Sequence, residues 1–487
     1  MADINTERKV SIIDPSIYSQ QVIATAIAMF SRVERTLGDS LQMLTEAQSD
    51  AFFERFIVGY GHGSVAEHAV LHIGVEGLSR YATEQLEWSR LASYTEKSTR
   101  YRRLGIQQTY KSTLVIGSPE ASVVYSDTLR AQFGAYDIAT ELVRPYMVGL
   151  FPRKPDEKEQ AYESRIRTKC MDVCRFGLPR ATLADTGMTA NVRVFEAVCA
   201  RLLSHQLLEV RETGEEIRQA AMQQAPILFK YSHATNYLEE TNQNVKDWVV
   251  NHLGESPVDH DVKPDAHLVE FDPEGEEKFF ATWLFKFGGG KSYMECREKV
   301  KLMSQENRDE LALEILGKLE LHDKGGRELE RLRLVYDLEL DYGSYYDLKR
   351  NRPLTPEVQE IDGKMGVILP AVLYELGCGD QMELAMREAI DAARFVEDKV
   401  GHGEGGYLYS NGTMMRMLMD MGLRELVDIW KLRAAPQAHP AYRILVLKMG
   451  ELAEKVYPTL WKHLTKHQNF PTSQEIYNSF YERSNLE

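Results

Sequence analysis

Apolar residues recur at three-and-four spacing, with charged faces between them, over residues 21–35, 131–143, 194–224, 382–399 and 442–456. That period predicts amphipathic helices. Two shorter stretches alternate β-branched or aromatic residues with polar ones, "HAVLHIGVEG" at 68–77 and "LRLVYDLELDYG" at 332–343. They predict strands, each running straight into a helix. The run "TMMRMLMDMG" at 413–422 carries sulfur at helical spacing and predicts pliable core packing. Between about 232 and 277 the chain turns polar and acidic, with turn chemistry in "GESPVDHDVKPD" and "FDPEGEEK", which predicts a domain boundary.

The pattern repeats. Setting Arg90 on Arg352 lays "QLEWSR" over "DLKRNR", each after a strand-like run. Farther on, "NVRVFEAVCARLLSHQLLEVR" from Asn191 lies over "GLRELVDIWKLRAAPQAHPAYR" from Gly422 with a single-residue gap, and Arg201–Arg211 and Arg433–Arg443 are equally spaced. The same order of strand, helix and late helix in both halves predicts an internal duplication. The expected organisation is 1–235, an acidic linker region 236–278, and 279–487.

Composition narrows the class. With 487 residues, 43% hydrophobic and 27% charged, the chain is long enough to bury full cores in two or three domains. No basic n-region precedes an apolar run at the N-terminus and no stretch is long enough to span a membrane, so the expectation is a cytoplasmic protein without a membrane partner. A net charge of −15 argues against nucleic acid as a partner. The five cysteines are scattered, and Cys170 and Cys174 lack a nearby histidine, so neither a disulfide framework nor a metal is expected. "FGGGKS" at 287–292 lacks the full phosphate-loop pattern and predicts a turn.

Against that acidic background, "QLEWSRLASYTEKSTRY" concentrates three cationic side chains and seven hydroxyls between Gln85 and Tyr101. Any anionic ligand has to be met by such a local cluster, because a guanidinium fork matches phosphate oxygens in pairs. Taken singly, an arginine on a helix reads as a solvated face, Ser98 as a helix cap, and His62, His68 and His205 as satisfied core or cap histidines.

Taken in order, "GHGSVAEHAVLHIGVEGLSR", "QLEWSRLASYTEKSTRY", "CRFGLPRATLADTGMTANVR" and "RLLSHQLLEVR" resemble the flavin-dependent thymidylate synthases. The resemblance spans about residues 24–231 and returns more weakly over 286–464. Gln85, Arg90, Ser93, Glu96, Ser98, Arg100 and Tyr101 match that family's signature. Trp88 and Ser89 stand where it has Arg and His, and Thr99 where it has Gly.

The resemblance implies an α+β fold of two similar domains, each a small, mostly antiparallel sheet packed with helices. It implies methylation of dUMP, or a related pyrimidine nucleotide, to dTMP, with FAD as cofactor and NADPH and methylenetetrahydrofolate as co-substrates. Gln85, Glu96, Ser98, Thr99, Arg100 and Arg175 would bind the nucleotide. Arg201 would draw charge onto the uracil ring as the catalytic group. His68, Arg90, Asn191, Arg193, Arg350, Asn351, Arg352 and Arg433 would face the flavin. The second half keeps the arginine pair Arg350/Arg352 but has Glu360 in place of the loop serine, so the two halves are expected to share one site. Because the family's sites form where subunits meet, a homodimer of tandem chains, a pseudo-tetramer, is implied. The other readings are a non-catalytic flavin or nucleotide-binding homologue and an enzyme acting on another uridine nucleotide.

Overall fold

The computed structural model describes residues 12–31, 34, 36–55, 63–229, 232–254 and 262–482; Arg35 and His62 lie outside the described residues. By its contacts the chain forms two units, one of residues 1–97 with 183–255, the other of 98–182 with 256–487. The third junction, at 255/256, falls in the acidic stretch. That stretch is not bare linker, since it carries a helix, Asn236–Leu253, and a strand, Asp265–Phe271.

The first unit holds a three-stranded antiparallel sheet of β1 (Val70–Ser79), β2 (Ser93–Glu96) and β3 (Leu183–Asn191), in the order β1-β3-β2. Ala184, Thr186, Met188 and Ala190 alternate inward along β3. This is the period-2 signal of a half-buried strand. The β1–β3 register slips between Val75 and Leu78. Gly77 takes φ 72 there, and its N–H donates to Asp185 Oδ1 at 2.9 Å. Only a residue without a Cβ adopts that backbone cheaply.

The second unit holds four antiparallel strands, β4 (Asp265–Phe271), β5 (Arg333–Asp341), β6 (Thr355–Val358) and β7 (Met414–Gly422), in the order β4-β5-β7-β6. Without β4 this is the order of the first sheet, strand for strand. β1 and β5 each lead into a seven-residue helix, Arg80–Leu86 and Tyr342–Leu348. β3 and β7 each lead into a helix pair, Val192–Leu203 with Leu208–Met222 and Leu423–Arg433 with Pro440–Val456. The α+β class and the duplication are therefore both present in the fold.

Two sequence expectations need correction. The methionine run is a strand rather than a helix: Met415, Met417, Met419 and Met421 lie opposite Leu340, Leu338, Tyr336 and Leu334 of β5, all of them buried. Methionines two apart fit one face of a strand, and the pairing partner decided between the two periods. The span 194–224 is two helices broken at 204–207, where Arg211 Nη1 donates to the His205 and Gln206 carbonyls at 2.8 and 2.6 Å and so satisfies groups freed by the break. "FGGGKS" is a turn as expected, with Gly289 and Gly290 at positive φ before a helix capped by Ser292.

Segment 98–182 of the first repeat packs within the second unit. Its long helix Pro119–Leu150 lies along Gly379–Val400, and Gln132 Nε2 donates to the Leu408 carbonyl at 2.8 Å. Pro179 and Ser410 form an antiparallel bridge. Both stand twelve residues before the last residue of the following strand. Arg180 N–H donates to Tyr409 O at 2.8 Å and Asn411 N–H to Leu178 O at 2.9 Å. Equivalent positions of the two repeats thus pair with each other, as they would across a local dyad.

Within the second repeat, Gly405 lets the turn Glu404–Leu408 close on helix Gly379–Val400, because a Cβ built on it stands 2.0 Å from the Ala393 carbonyl oxygen. Gly405→Ala is expected to lower stability by about 1–3 kcal/mol through overpacking. A denaturation midpoint equal to wild type would show that the helix and turn separate without loss.

Candidate functional site

Helix Glu159–Cys174 ends in the tight turn Arg175–Gly177, since Gly177 and Pro179 do not extend it. Its last turn presents Asp172, an acid at the negative end of a helix dipole, which calls for a cation. Arg100 supplies it, with Nε on Asp172 Oδ1 at 2.5 Å and Nη2 on Oδ2 at 2.7 Å. Nη2 also reaches the Gln437 carbonyl at 3.4 Å. Burial alone would lower the Arg100 pKa, but Asp172, with Asp347 beyond it, outweighs burial and raises it. The loop before Arg100 is folded by its own serine, whose Oγ accepts from Arg100 N–H at 3.2 Å, while Thr99 is buried.

Arg175 Nη2 meets Asp347 Oδ2 at 2.8 Å, the two side chains 4% and 14% exposed. Asn411 Nδ2 holds the Arg175 carbonyl at 2.8 Å. Burial pushes the Asp347 carboxyl up, yet Arg175 and Arg350 together hold it well below the usual carboxylate range. Arg350 lies over the Tyr346 ring at 5.8 Å, and Asn351 Nδ2 closes the turn by donating to Leu348 O at 2.9 Å. Arg352 is exposed one residue on. Arg433 sits 5.7 Å from the Tyr442 ring centroid. Burial, then the Asp347 charge, raises the Tyr442 pKa.

Fully buried His439 caps helix Pro440–Val456 through Nδ1, which accepts from Ala441 N–H at 3.2 Å. Nε2 therefore carries the proton and donates to the Asp172 carbonyl at 2.7 Å. Burial, with Arg175 nearby, lowers the His439 pKa to about 3.

In the first unit Arg201 is held by Gln85, with Nη1 on the Gln85 carbonyl at 2.7 Å and Nη2 on Oε1 at 2.8 Å. The Trp88 ring, 60% exposed, lies 5.0 Å from the same guanidinium. Glu96 faces Arg80 at 3.7 Å, both buried. Asn191 caps helix Val192–Leu203, and Arg193 pairs with Glu67 beside exposed His68 at 2.5 Å. Arg90 is exposed.

The second unit thus brings Ser98, Thr99, Arg100 and Arg175 of the first repeat together with Arg350 and Arg433 of the second, with Asn351 and exposed Arg352 following Arg350 along the chain. The first unit gathers Gln85 with Arg201, and His68 with Asn191 and Arg193. Asp172, Asp347 and His439 carry equal weight in the cluster, and sequence reading gave them no role. One signal was available for Asp347: it is the sixth residue of its seven-residue helix, as Gln85 is of the matching one. A cleft of about 470 Å³ elsewhere is lined by Trp283, Leu284, Phe287, Leu311 and Ile315, with Glu314 as its one charged residue. Its chemistry does not suit a phosphate. Among the described residues no group of His, Cys, Asp or Glu is placed to hold a metal, and no helix is long and apolar enough to cross a membrane.

The sequence matches the family described as thymidylate synthase complementing protein over residues 12–227 and 327–459. A UPF0159 protein of Chlamydia muridarum is 26% identical over 421 residues, covering 84% of this chain and 79% of its own. A flavin-dependent thymidylate synthase of Clostridium tetani is 27% identical over 227 residues, covering 46% of this chain and 86% of its own. The crystal structure of thymidylate synthase X from Helicobacter pylori with FAD and dUMP aligns at TM-score 0.31 and 14% identity, covering 42% of this chain and 100% of that one. The matched segments leave 228–326 outside, the part that adds helix Asn236–Leu253 and strand β4. With two segments matched and well over half of its length covered, the chain belongs to the thymidylate synthase complementing proteins, the flavin-dependent thymidylate synthase family.

Proposed function

We propose that the protein is a flavin-dependent thymidylate synthase-like enzyme that methylates dUMP, or a closely related uridine nucleotide, at a site in its second unit. The observation that carries this reading is the convergence there of Arg100 and Arg175 from one repeat with Arg350 and Arg433 from the other. On a chain of net charge −15, such a gathering of guanidinium groups suits an anionic ligand.

Ser98, Thr99, Arg100 and Arg175 would hold the nucleotide phosphate, the arginines by paired hydrogen bonds. Arg433, the counterpart of Arg201, would stabilise negative charge growing on the uracil carbonyl. FAD fits the exposed turn at Arg350, Asn351 and Arg352, whose two guanidinium groups and side-chain amide suit a diphosphate. When bound it would supply the hydride that reduces the transferred methylene, with NADPH and methylenetetrahydrofolate as co-substrates. His68, Asn191 and Arg193 offer a second flavin-facing group in the first unit, alongside Arg90. Glu96 and Gln85 would orient a pyrimidine edge there. Association into a homodimer belongs to the same reading.

The test is flavin absorption of the purified full chain, bleached by NADPH, with dTMP appearing once dUMP and methylenetetrahydrofolate are added. Arg352→Ala should remove bound FAD while dUMP still binds. Arg433→Ala should lower kcat more than it raises the dUMP Kd, because its interaction strengthens as ring charge develops. If Arg201→Ala has that effect and Arg433→Ala does not, the chemistry lies in the first unit. The Trp88 ring over Arg201 favours the reading of a binding homologue without turnover, which bound FAD and dUMP with no dTMP would select.

A further inference from the structure

We propose that Trp88 is a specificity-determining residue of the first unit, a stacking platform that takes the isoalloxazine ring of a flavin on its exposed face. The proposal rests on the flavin-binding reading given above.

The two repeats differ in kind at this position. With Arg90 set on Arg352, Trp88 falls on Arg350. In the second repeat a cation lies outermost, exposed Arg350 standing 5.8 Å from the centre of the buried Tyr346 ring. In the first repeat the order is reversed. The Trp88 ring, 60% exposed, lies outermost, and the half-buried Arg201 guanidinium sits 5.0 Å behind it. The pairing of a cation with a ring is kept, while what it offers to solvent has changed from a charge to an aromatic face. Single exposed hydrophobic residues are ordinary on protein surfaces. Trp88 differs from them in having a fixed guanidinium behind it and a place in the chain between Gln85 and Arg90.

The ring is held before any ligand arrives. Arg201 is fixed by Gln85, with Nη1 on the carbonyl at 2.7 Å and Nη2 on Oε1 at 2.8 Å. The turn that carries Trp88 follows helix Arg80–Leu86, and Ser89 N–H closes it by donating to the Tyr94 hydroxyl of β2 at 3.2 Å. A platform ordered in advance gives up little freedom on binding. Planar heteroaromatic rings stack on such an indole whatever their edge groups, because each has a π-face. Dispersion grows with the number of atoms in contact, so a three-ring isoalloxazine covers the two-ring indole where a single pyrimidine ring covers part of it. An indole carries no charge. Its contribution is therefore the same with or without a phosphate on the ligand, whereas an arginine in its place favours the phosphorylated form.

The experiment titrates the full-length chain into riboflavin and, separately, into FMN, following the loss of flavin fluorescence that stacking on an indole causes. Wild type, W88F, W88A and W88R are compared by the protein concentration at half-saturation, and 2′-deoxyuridine is added as a competitor. W88A should weaken riboflavin and FMN by the same factor, about tenfold. W88F keeps a ring and should lose about threefold or less, and it covers the case in which W88A fails to fold. W88R should weaken riboflavin by about tenfold while FMN stays closer to wild type. Unchanged affinity in W88A overturns the proposal, as does a loss confined to FMN, a loss in W88F equal to that in W88A, or no riboflavin binding by wild type. Displacement of riboflavin by deoxyuridine below the riboflavin Kd also overturns it, since the ring read at Trp88 is then a pyrimidine. Formation of dTMP is measured on the same preparations. Its absence beside an intact Trp88 effect counts against the enzymatic reading alone, and its presence beside unchanged W88A binding counts against Trp88 alone.

Discussion

Arg175→Ala is expected to cost about 3–5 kcal/mol of unfolding free energy, the usual loss when one partner of a buried ion pair is removed. The penalty arises mainly from what stays behind. Asp347 keeps Arg350 and, farther off, an Arg100 already paired with Asp172, and its carboxylate remains in a site where burial alone works against the charge. Arg175→Lys restores a charge but not the planar fork, so it should recover part of the loss. Arg175→Ala with Asp347→Asn removes both charges and should be less damaging than the single substitution. Chemical denaturation of wild type, Arg175→Ala, Asp347→Asn alone and the double substitution closes the cycle, with Arg175→Lys measured beside it. A single-mutant loss below about 1 kcal/mol, the range of surface pairs, would show that the pair is solvated and sink the argument.

Acid should destabilise the protein before its carboxylates titrate, and His439 is the reason. Its folded pKa is lowered to about 3 from an ordinary value of 6.5. Between those values the unfolded chain binds a proton that the folded chain refuses. The contribution is therefore complete above about pH 6.5 and lost as pH falls toward 3, at up to about 1.4 kcal/mol per pH unit. His205, lowered to about 4 by burial and Arg201, acts in the same direction. His439→Asn retains a side chain able to cap Pro440–Val456 and removes the titration. The slope of unfolding free energy against pH between 4 and 6.5 should be shallower in His439→Asn. Equal slopes would mean that a protonated imidazole is tolerated in place.

The outcome of reading the chain residue by residue depended on how far apart the decisive groups are. Local periodicity located the helices at 382–399 and 442–456 because their apolar stripes are written every three or four residues. It misread the methionine strand, because sulfurs two apart fit either period until β5 is alongside. It ran through 204–207 because both flanking helices are amphipathic and the satisfying group, Arg211, lies beyond the break.

By itself the sequence determined the family and pointed to two similar halves and a set of arginines suited to an anion, since each is carried by residue types in order along the chain. It also supplied the contrast of Gln85 with Asp347, though without a meaning. Only the tertiary structure decided that segment 98–182 of the first repeat packs with the second, and hence which arginines share a site. Arg175 and Asp347 are 172 residues apart, as are the Asp172 carbonyl and His439 by 267. No local signal encodes such pairs. They follow from the burial of long helices against a distant sheet, which brings charged groups out of water and leaves each to find its counter-charge in whatever the fold places beside it.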